Sequence, residues 1–154
     1  MGTSQIDDSG DNMHFSATIH ELSLLVARLF NQEVKDIGLT RTQWMILYRL
    51  YQDGEQSQTQ LANKLSMAKP PLGKVLEKLE AEGWVTRCQN TGDRRENLVT
   101  LTEKVAPLIE PLSTVVATIG QTGMATLSKT EQATLGKWLV EVRKNLLAAL
   151  EGKV

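Results

Sequence analysis

The stretch Asp93–Thr102 reads DRRENLVTLT. An aspartate and two arginines crowd its start, an alternating segment follows, and a Leu-Thr pair ends it. This pattern predicts the tip and return strand of a charged β-hairpin, with Trp84–Gln89 as the first strand, Asn97–Leu101 as the second and Asn90–Asp93 as the turn. A basic tip held out from a small sheet suits a polyanionic partner such as a DNA backbone.

Capping boxes mark three helix starts elsewhere in the chain: Thr40-x-x-Gln43, Ser57-x-x-Gln60 and Ser128-x-x-Glu131. In this motif a hydroxyl and a longer polar side chain satisfy backbone N–H groups that have no partner inside the helix. The boxes predict helices from about 41 to 52, from 58 to 65 and from 129 to 150.

A further helix is predicted between the second capping box and the hairpin, and Gly83 closes it. Its inner face would carry apolar residues at helical spacing: Leu72, Val75, Leu76 and Leu79. Two short helices joined by the connection 66–68 and followed by a two-stranded ribbon predict a winged helix-turn-helix.

Long amphipathic segments flank this unit. The first is predicted to end at Gly38, and its apolar stripe is wide enough for more than one packing partner: Phe15, Ile19, Leu22, Leu24, Leu25, Val26, Leu29 and Phe30. After the hairpin, a helix capped by Thr102 would run to about Thr126 and be bent by Pro107 and Pro111. The last helix is expected to bury six apolar side chains: Leu135, Trp138, Leu139, Val142, Leu146 and Leu150.

The composition fits one globular domain of 154 residues, 41% of them apolar. No apolar run is long enough to span a membrane, and residues 1–13 are expected to be a mobile acidic tail rather than a secretory signal. A single cysteine, Cys88, cannot form an internal disulfide, which fits a cytoplasmic compartment.

The net charge is −1, but residues 57–104 hold eight Lys and Arg against six Asp and Glu. This weak basic bias is compatible with DNA binding.

With these residues in view, the chain resembles the MarR family of winged helix-turn-helix transcription regulators. The wing signature of that family is Asp-x-Arg followed, after five residues, by Leu-Thr, and it is met by Asp93, Arg95, Leu101 and Thr102. The segments LTRTQWMILYRL, QSQTQLANKL and LEKLEAEGWVTR also resemble the family's second, third and fourth helices. TEKVAPLIEPL and QSQTQLA are similar to the SlyA-like branch.

The resemblance implies a mainly α fold with a small β-wing, built as a single unit over 14–150. Within it, 40–101 would be the winged helix DNA-binding lobe, and 14–37 plus 102–150 the dimerisation helices. It also implies a homodimer on a pseudo-palindromic operator in double-stranded DNA, because two-fold symmetry places both lobes in successive major grooves. Repression is the default role in the family.

The predicted recognition helix offers candidate DNA contacts at its N-terminal end and outer side: Lys69, Pro70, Pro71, Gly73, Lys74 and Lys78. A helix N-terminus attracts phosphate through free N–H groups and positive partial charge. Lys74 is the candidate for a guanine edge and Lys78 for a phosphate. The alternative is a solvated lysine face without DNA contact.

Pro70 and Pro71 stand where relatives commonly carry Ser or Thr. In a first helical turn the missing N–H costs little, but proline can offer only apolar contact, for example to thymine methyl groups. We therefore expect fewer hydrogen bonds to bases from this helix and a greater dependence on the wing and on DNA shape.

At the wing, Arg95 with Arg94 beside it is predicted to enter the minor groove, where a narrow A·T-rich stretch concentrates negative potential. Asp93 would orient a neighbouring arginine, and the alternative is an exposed ion pair of little worth. Residues at helix starts could clamp phosphates or act only as caps: Arg41, Thr42, Ser57, Gln58 and Gln60.

The resemblance also implies a small-molecule effector, aromatic or phenolic in many relatives, bound between the dimer helices and the winged lobe. The candidates for that site are His20, Arg28, Trp44 and Tyr48. The alternative, which the residue types favour, is that Trp44 belongs to the core and that His20 makes an interface hydrogen bond or is exposed. Cys88 lies on a wing strand and is interpreted as a small strand residue rather than a redox sensor.

Nothing in the sequence indicates an enzyme. The motifs GxxxxGK[ST], GxGxxG, HExxH and GxSxG are absent, and the six-residue spacing of His14 and His20 does not place both on one face of a helix. No metal or cofactor is expected. The remaining alternative is a winged-helix protein-interaction module without DNA binding, which would have no need of paired arginines at the wing tip.

Overall fold

A computed structural model describes residues 8–89, 92 and 97–152, with side chains from residue 14 onward. Its elements follow in chain order: α1 (Asp8–Glu33), α2 (Arg41–Asp53), β1 (Gln56–Ser57), α3 (Gln58–Leu65), α4 (Lys69–Ala81), β2 (Val85–Gln89), β3 (Asn97–Leu101), α5 (Ile109–Gly123) and α6 (Lys129–Gly152). Short 3₁₀ helices, Lys35–Ile37 and Glu103–Leu108, precede α2 and α5. The predicted fold class, mainly α with a small β-wing, is confirmed.

The chain forms two compact units, one extending to Val116 and one from Ala117 onward. The first unit runs past the predicted end of the winged lobe at residue 101, because Val105 and Leu112 are buried among its apolar side chains. Its core is completed by fully buried residues of the helices and of the sheet: Phe30, Ile46, Leu47, Leu61, Leu72, Leu76, Leu79 and Val99.

The helix starts follow the capping boxes. The Thr40 hydroxyl accepts from the Gln43 N–H at 3.2 Å, and the Gln43 amide oxygen accepts from the Thr40 N–H at 2.8 Å. The same reciprocal pair of bonds links Ser57 to Gln60 and Ser128 to Glu131. Each box satisfies backbone donors that a helix leaves free.

The wing is a three-stranded antiparallel sheet in the order β1-β3-β2. Val85 pairs with Leu101, and Arg87 pairs with Val99, so the predicted ribbon is present, although its first strand begins at Val85 rather than at Trp84. β1 was not predicted: Gln56 pairs with the other side of Val99, and a strand of two residues is too short to show an alternating pattern.

The first helix differs from its prediction at both ends. It already includes residues 8–13, so the predicted tail of thirteen residues is too long. The helix stops at Glu33, and Gly38, with φ 75°, closes the 3₁₀ turn after it.

The segment after the wing also departs from prediction. Instead of one bent helix capped by Thr102, a 3₁₀ helix contains Pro107, and α5 follows with Pro111 in its first turn. Proline is tolerated there because its missing N–H would have no partner inside the helix. The Thr102 hydroxyl caps nothing: it donates to the Gly83 carbonyl at 2.8 Å, which fastens the end of β3 to the turn between α4 and β2.

The second unit contains the C-terminal part of α5 and all of α6. The predicted burial of the α6 apolar residues is wrong for the single chain: Trp138 is 66% exposed and Leu150 72% exposed. A helical period identifies an apolar stripe but cannot tell whether the same chain or another chain covers it. No helix within the described ranges is long and apolar enough to cross a membrane.

Candidate nucleic-acid interface

Helix α4 presents one apolar side and one open side. Leu72, Leu76 and Leu79 are fully buried and follow the spacing i, i+4, i+7, so they anchor one stripe of the helix in the core. The predicted contact residues on its N-terminal end and outer side are exposed: Lys69, Pro70, Pro71, Lys74 and Lys78. The fold therefore leaves these five side chains accessible to a large partner.

The N-terminus of α4 is open as well. Ala68 is the N-cap and provides no side-chain hydrogen bond to the first turn. The backbone N–H of Leu72 makes the first helical bond, to the Ala68 carbonyl at 3.2 Å, and Pro70 and Pro71 carry no N–H at all. This end therefore offers few amide donors, in line with the expectation drawn from the two prolines.

The lysines of α4 differ in their surroundings. The Lys78 ammonium lies 3.8 Å from a Glu82 carboxylate oxygen one helical turn later, an exposed pair that is weakly held in water. Lys74, at the middle of the outer side, has no ion pair with any described residue within 4.0 Å. Lys74 is thus the more available cation of the two.

Gly73 has a packing role that its sequence position did not reveal. A Cβ added there would lie 3.2 Å from the Gln58 side-chain nitrogen, so the absence of a side chain lets α3 approach α4 closely. Gln58 is half-buried at this crossing. Gly73 stands beside the exposed surface rather than at its centre.

Of the helix-start candidates, Ser57 is corrected. It is only 3% exposed, and its hydroxyl accepts from the Gln60 N–H at 3.2 Å, so its side chain caps α3 and cannot reach a phosphate. Gln60 is exposed, although its amide oxygen accepts from the Ser57 N–H. Thr42 is exposed near the start of α2.

Arg41 is half-buried rather than solvated. Its guanidinium carbon lies 5.5 Å from the centre of the Phe30 ring, and its backbone N–H donates to the Asn31 side-chain oxygen at 2.8 Å. Burial lowers the pKa of the Arg41 guanidinium, but an arginine stays protonated at any physiological pH. Arg41 therefore supplies a partly desolvated positive charge.

This charge borders a cavity of about 370 Å³ in the first unit. The lining residues are Arg41, Trp44, Met45, Tyr48, Arg49, Gln52, Leu65, Ser113 and Val116. The Trp44 and Tyr48 rings lie 5.4 Å apart, and the Tyr48 hydroxyl accepts from the Gln52 amide at 2.8 Å. Two arginines beside a pair of aromatic rings, tilted 41° to each other, form a site suited to a planar anion.

The predicted effector residues divide between two places. Trp44, which is only 2% exposed, and Tyr48 line the cavity, whereas His20 and Arg28 are exposed on α1 and do not line it. Arg49 was not predicted for this site. A signal was present, because Arg41, Met45 and Arg49 recur every fourth residue and so share one face of α2.

The base of the wing is joined to α4. The Arg87 guanidinium donates to one Glu80 carboxylate oxygen at 2.9 and 2.6 Å, and the Arg87 backbone N–H donates to the other at 3.1 Å. These hydrogen bonds lower the pKa of Glu80. The Lys104 ammonium lies 3.8 Å from the centre of the Trp84 ring and donates to the Glu82 carbonyl. These contacts also connect the segment after β3 to the turn between α4 and β2.

The predicted wing-tip contacts, Asp93, Arg94 and Arg95, lie outside the described residues. Cys88 is exposed on β2 and pairs with Leu98 across the ribbon. In the described part of the chain, no group of three or more His, Cys, Asp or Glu side chains is placed to hold a metal ion.

The chain is similar to known transcription regulators. The MarR family model matches residues 39–97. A mutant MarR from E. coli, solved in complex with operator DNA, is 27% identical with a TM-score of 0.78, and the match covers 88% of this chain and 98% of that one. A probable transcriptional regulator from Pseudomonas aeruginosa is 29% identical with a TM-score of 0.74, covering 83% and 96%.

A MarR transcriptional regulator from Methanosarcina mazei Go1 has a TM-score of 0.82 over 88% of this chain and 97% of its own, and at 23% identity it supports the fold alone. None of these matches singles out the SlyA-like branch. The helix-turn-helix and the strands β1 and β2 of the wing lie in the part of the chain, residues 39–97, that the MarR family model matches, and the chain is similar in fold and sequence to MarR transcription regulators.

Proposed function

We propose that this protein is a sequence-specific DNA-binding repressor that acts as a homodimer and is released from its operator by a small aromatic anion. The observation that carries the proposal is the open side of α4, where Lys69, Lys74 and Lys78 are exposed while the opposite side is anchored in the core. A helix held in this way can enter a major groove without disturbing the fold.

Base contacts are assigned to α4 and its N-terminal end. Lys74 reads a guanine edge, and Lys69 and Lys78 meet phosphates. Gln58 and Thr42 contact phosphates from neighbouring helix starts, and Pro70 and Pro71 touch bases through apolar surface. At the wing, Arg94 and Arg95 occupy the minor groove and Asp93 orients one of them.

The dimer is supported by apolar surface that a lone chain leaves in water. On α1 this surface includes Leu22, Leu24 and Leu25, and on α6 it includes Trp138 and Leu146, all at least 46% exposed. Exposed apolar residues in such number on single helices indicate a protein interface. Two-fold symmetry would then require a pseudo-palindromic operator.

The effector is assigned to the cavity of the first unit. Arg41 and Arg49 supply positive charge, and Trp44 and Tyr48 supply aromatic surface. An aromatic carboxylate matches both features, because its ring stacks on the side chains and its anion pairs with the guanidinium groups. Arg41 begins α2 within the first unit, which also contains α4 and the wing. A ligand in the cavity is therefore placed to alter the geometry of the DNA-binding surface.

The test is a nuclease footprint on the DNA that flanks the protein's own gene, repeated with salicylate-like acids. We expect a symmetric protected region with half-sites about one helical turn apart and loss of protection when the acid is added. The absence of protection on any promoter DNA, together with salt-independent binding of a protein partner, would instead favour the interaction-module alternative.

A further inference from the structure

Helix α4 carries an acidic residue, Glu77, on the side that is proposed to face DNA. Pro70, Lys74 and Glu77 follow the spacing i, i+4, i+7 and are all exposed. The buried stripe of Leu72, Leu76 and Leu79 has the same spacing two residues later. Two residues turn a helix by about 200°, so the stripe that contains Glu77 lies opposite the core.

The other carboxylates near α4 have structural partners. Glu80 is bound by Arg87, and a Glu82 oxygen lies 3.8 Å from the Lys78 ammonium. Glu77 makes no hydrogen bond or ion pair with any residue that the structure describes, Lys74 included. Its carboxylate therefore has no visible part in holding the fold.

An unpaired carboxylate on a DNA-binding face has an electrostatic cost, since it repels every phosphate near it. A hydrogen-bond donor on the DNA can offset this cost directly. In the major groove the amino groups of cytosine and adenine are the available donors. Adenine presents its N7 acceptor directly beside its amino group, which repels a carboxylate, whereas cytosine presents its N4 amino group without a neighbouring acceptor.

We propose that Glu77 is a specificity-determining residue, which accepts a hydrogen bond from the N4 amino group of one cytosine in each operator half-site. This inference rests on the proposed function and assigns part of its base readout. Lys74 precedes Glu77 by three residues, a rise of about 4.5 Å along the helix, and the two side chains can therefore address neighbouring base pairs, one through guanine and one through cytosine.

The same charge raises selectivity in a second way. On a sequence without the matching cytosine, Glu77 keeps its repulsion from the phosphates and gains no hydrogen bond. The charge of Glu77 thus lowers the affinity for DNA of any sequence, and the hydrogen bond to cytosine compensates for this loss only on the operator. This predicts that its removal relaxes specificity without weakening binding to unrelated DNA.

The experiment is selection from a randomised duplex library, followed by sequencing, with wild type, Glu77→Ala, Glu77→Gln and the control Glu151→Gln. Glu151 is an exposed carboxylate in the last turn of α6, so the control removes the same charge far along the chain from α4. Melting curves of all four proteins check that each one is folded.

Wild type and the control should both select one cytosine per half-site, and Glu77→Ala should reduce that preference by about 10-fold or more. Glu77→Gln should shift the position towards adenine, because a carboxamide both donates and accepts. If Glu77→Ala selects the same bases as wild type at every position, the inference is wrong while the proposed function stands. If wild type enriches no sequence, the proposed function itself fails and the inference fails with it.

Discussion

Arg87 on β2 binds Glu80 on α4 through three hydrogen bonds of 2.6 to 3.1 Å. The contact uses both carboxylate oxygens together with the backbone and the side chain of the arginine. It fixes the base of the wing against the helix that is proposed to enter the major groove. The wing and α4 are therefore expected to present their DNA contacts in one fixed relation.

This contact predicts a dependence of stability on pH. Arg87 lowers the pKa of Glu80 below its ordinary value of 4.5. When the pKa of a carboxyl group is lower in the folded protein than in the unfolded chain, the group stabilises the folded state. This stabilisation is fully present at a pH above the pKa of the unfolded chain, and it is lost as the pH falls through the pKa of the folded protein. Melting temperatures measured from about pH 6 downward should fall below about pH 4.5, and Glu80→Gln should show a shallower fall.

Glu131→Gln provides the comparison for that experiment, because Ser128 lowers the pKa of Glu131 in a cap that lies outside the wing. Both variants should reduce the fall in melting temperature at acidic pH, and only Glu80→Gln should also weaken operator binding at neutral pH. If the melting temperature of Glu80→Gln falls at acidic pH as steeply as that of wild type, the contact between Arg87 and Glu80 does not stabilise the fold.

Arg95→Ala tests the wing tip. It should cost about 1–3 kcal/mol in operator affinity with little change in melting temperature, because a groove contact contributes to binding and not to the core. Fluorescence anisotropy at matched salt measures the affinity, with Lys35→Ala as a control on an exposed cation of the 3₁₀ turn before α2. Equal affinities of Arg95→Ala and wild type would exclude the wing from recognition.

Arg41→Gln tests the effector cavity. Titration calorimetry with salicylate should show affinity reduced by about tenfold or more, since a hydrogen bond to a charged group contributes about 1.5–3 kcal/mol. Arg28→Gln is the matched control, because Arg28 is exposed and does not line the cavity. A larger loss with Arg28→Gln than with Arg41→Gln would place the ligand elsewhere.

Leu22→Glu tests the proposed dimer. Leu22 is 51% exposed in the single chain, so a charge there should leave the fold intact while it opposes burial against a second copy. Sedimentation analysis should show a dimer for wild type and for the control Gln32→Glu, and a shift towards monomer for Leu22→Glu. Wild type that sediments as a monomer at micromolar concentration would contradict the proposal.

Local signals in the sequence predicted most of the winged unit. The capping boxes at Thr40 and Ser57 located two helix starts because their bonds span only three residues. The leucine spacing of α4 predicted its buried side because a helix repeats every 3.6 residues. Patterns of this kind depend only on residues that are close along the chain, and they can therefore be recognised in the sequence without knowledge of the fold.

Features that depend on distant contacts could not be predicted in the same way. Thr102 resembled a helix cap, but its hydroxyl donates to Gly83, nineteen positions earlier. Gly73 resembled part of a contact surface, and its closeness to Gln58 follows only from the crossing of α3 and α4. Ser57 was left between capping and phosphate binding, and its burial beside β3 decides for the cap.

The open side of α4 is proposed to bind DNA. Anisotropy with the footprinted operator, measured from low to high salt, tests it most directly with wild type, Lys74→Ala and Lys35→Ala. Binding should weaken steeply with salt, with a log–log slope of about −0.9 for each phosphate neutralised, and Lys74→Ala should bind at least about fivefold more weakly than the control. Equal affinities of the two variants, or binding that does not change with salt, would contradict the account.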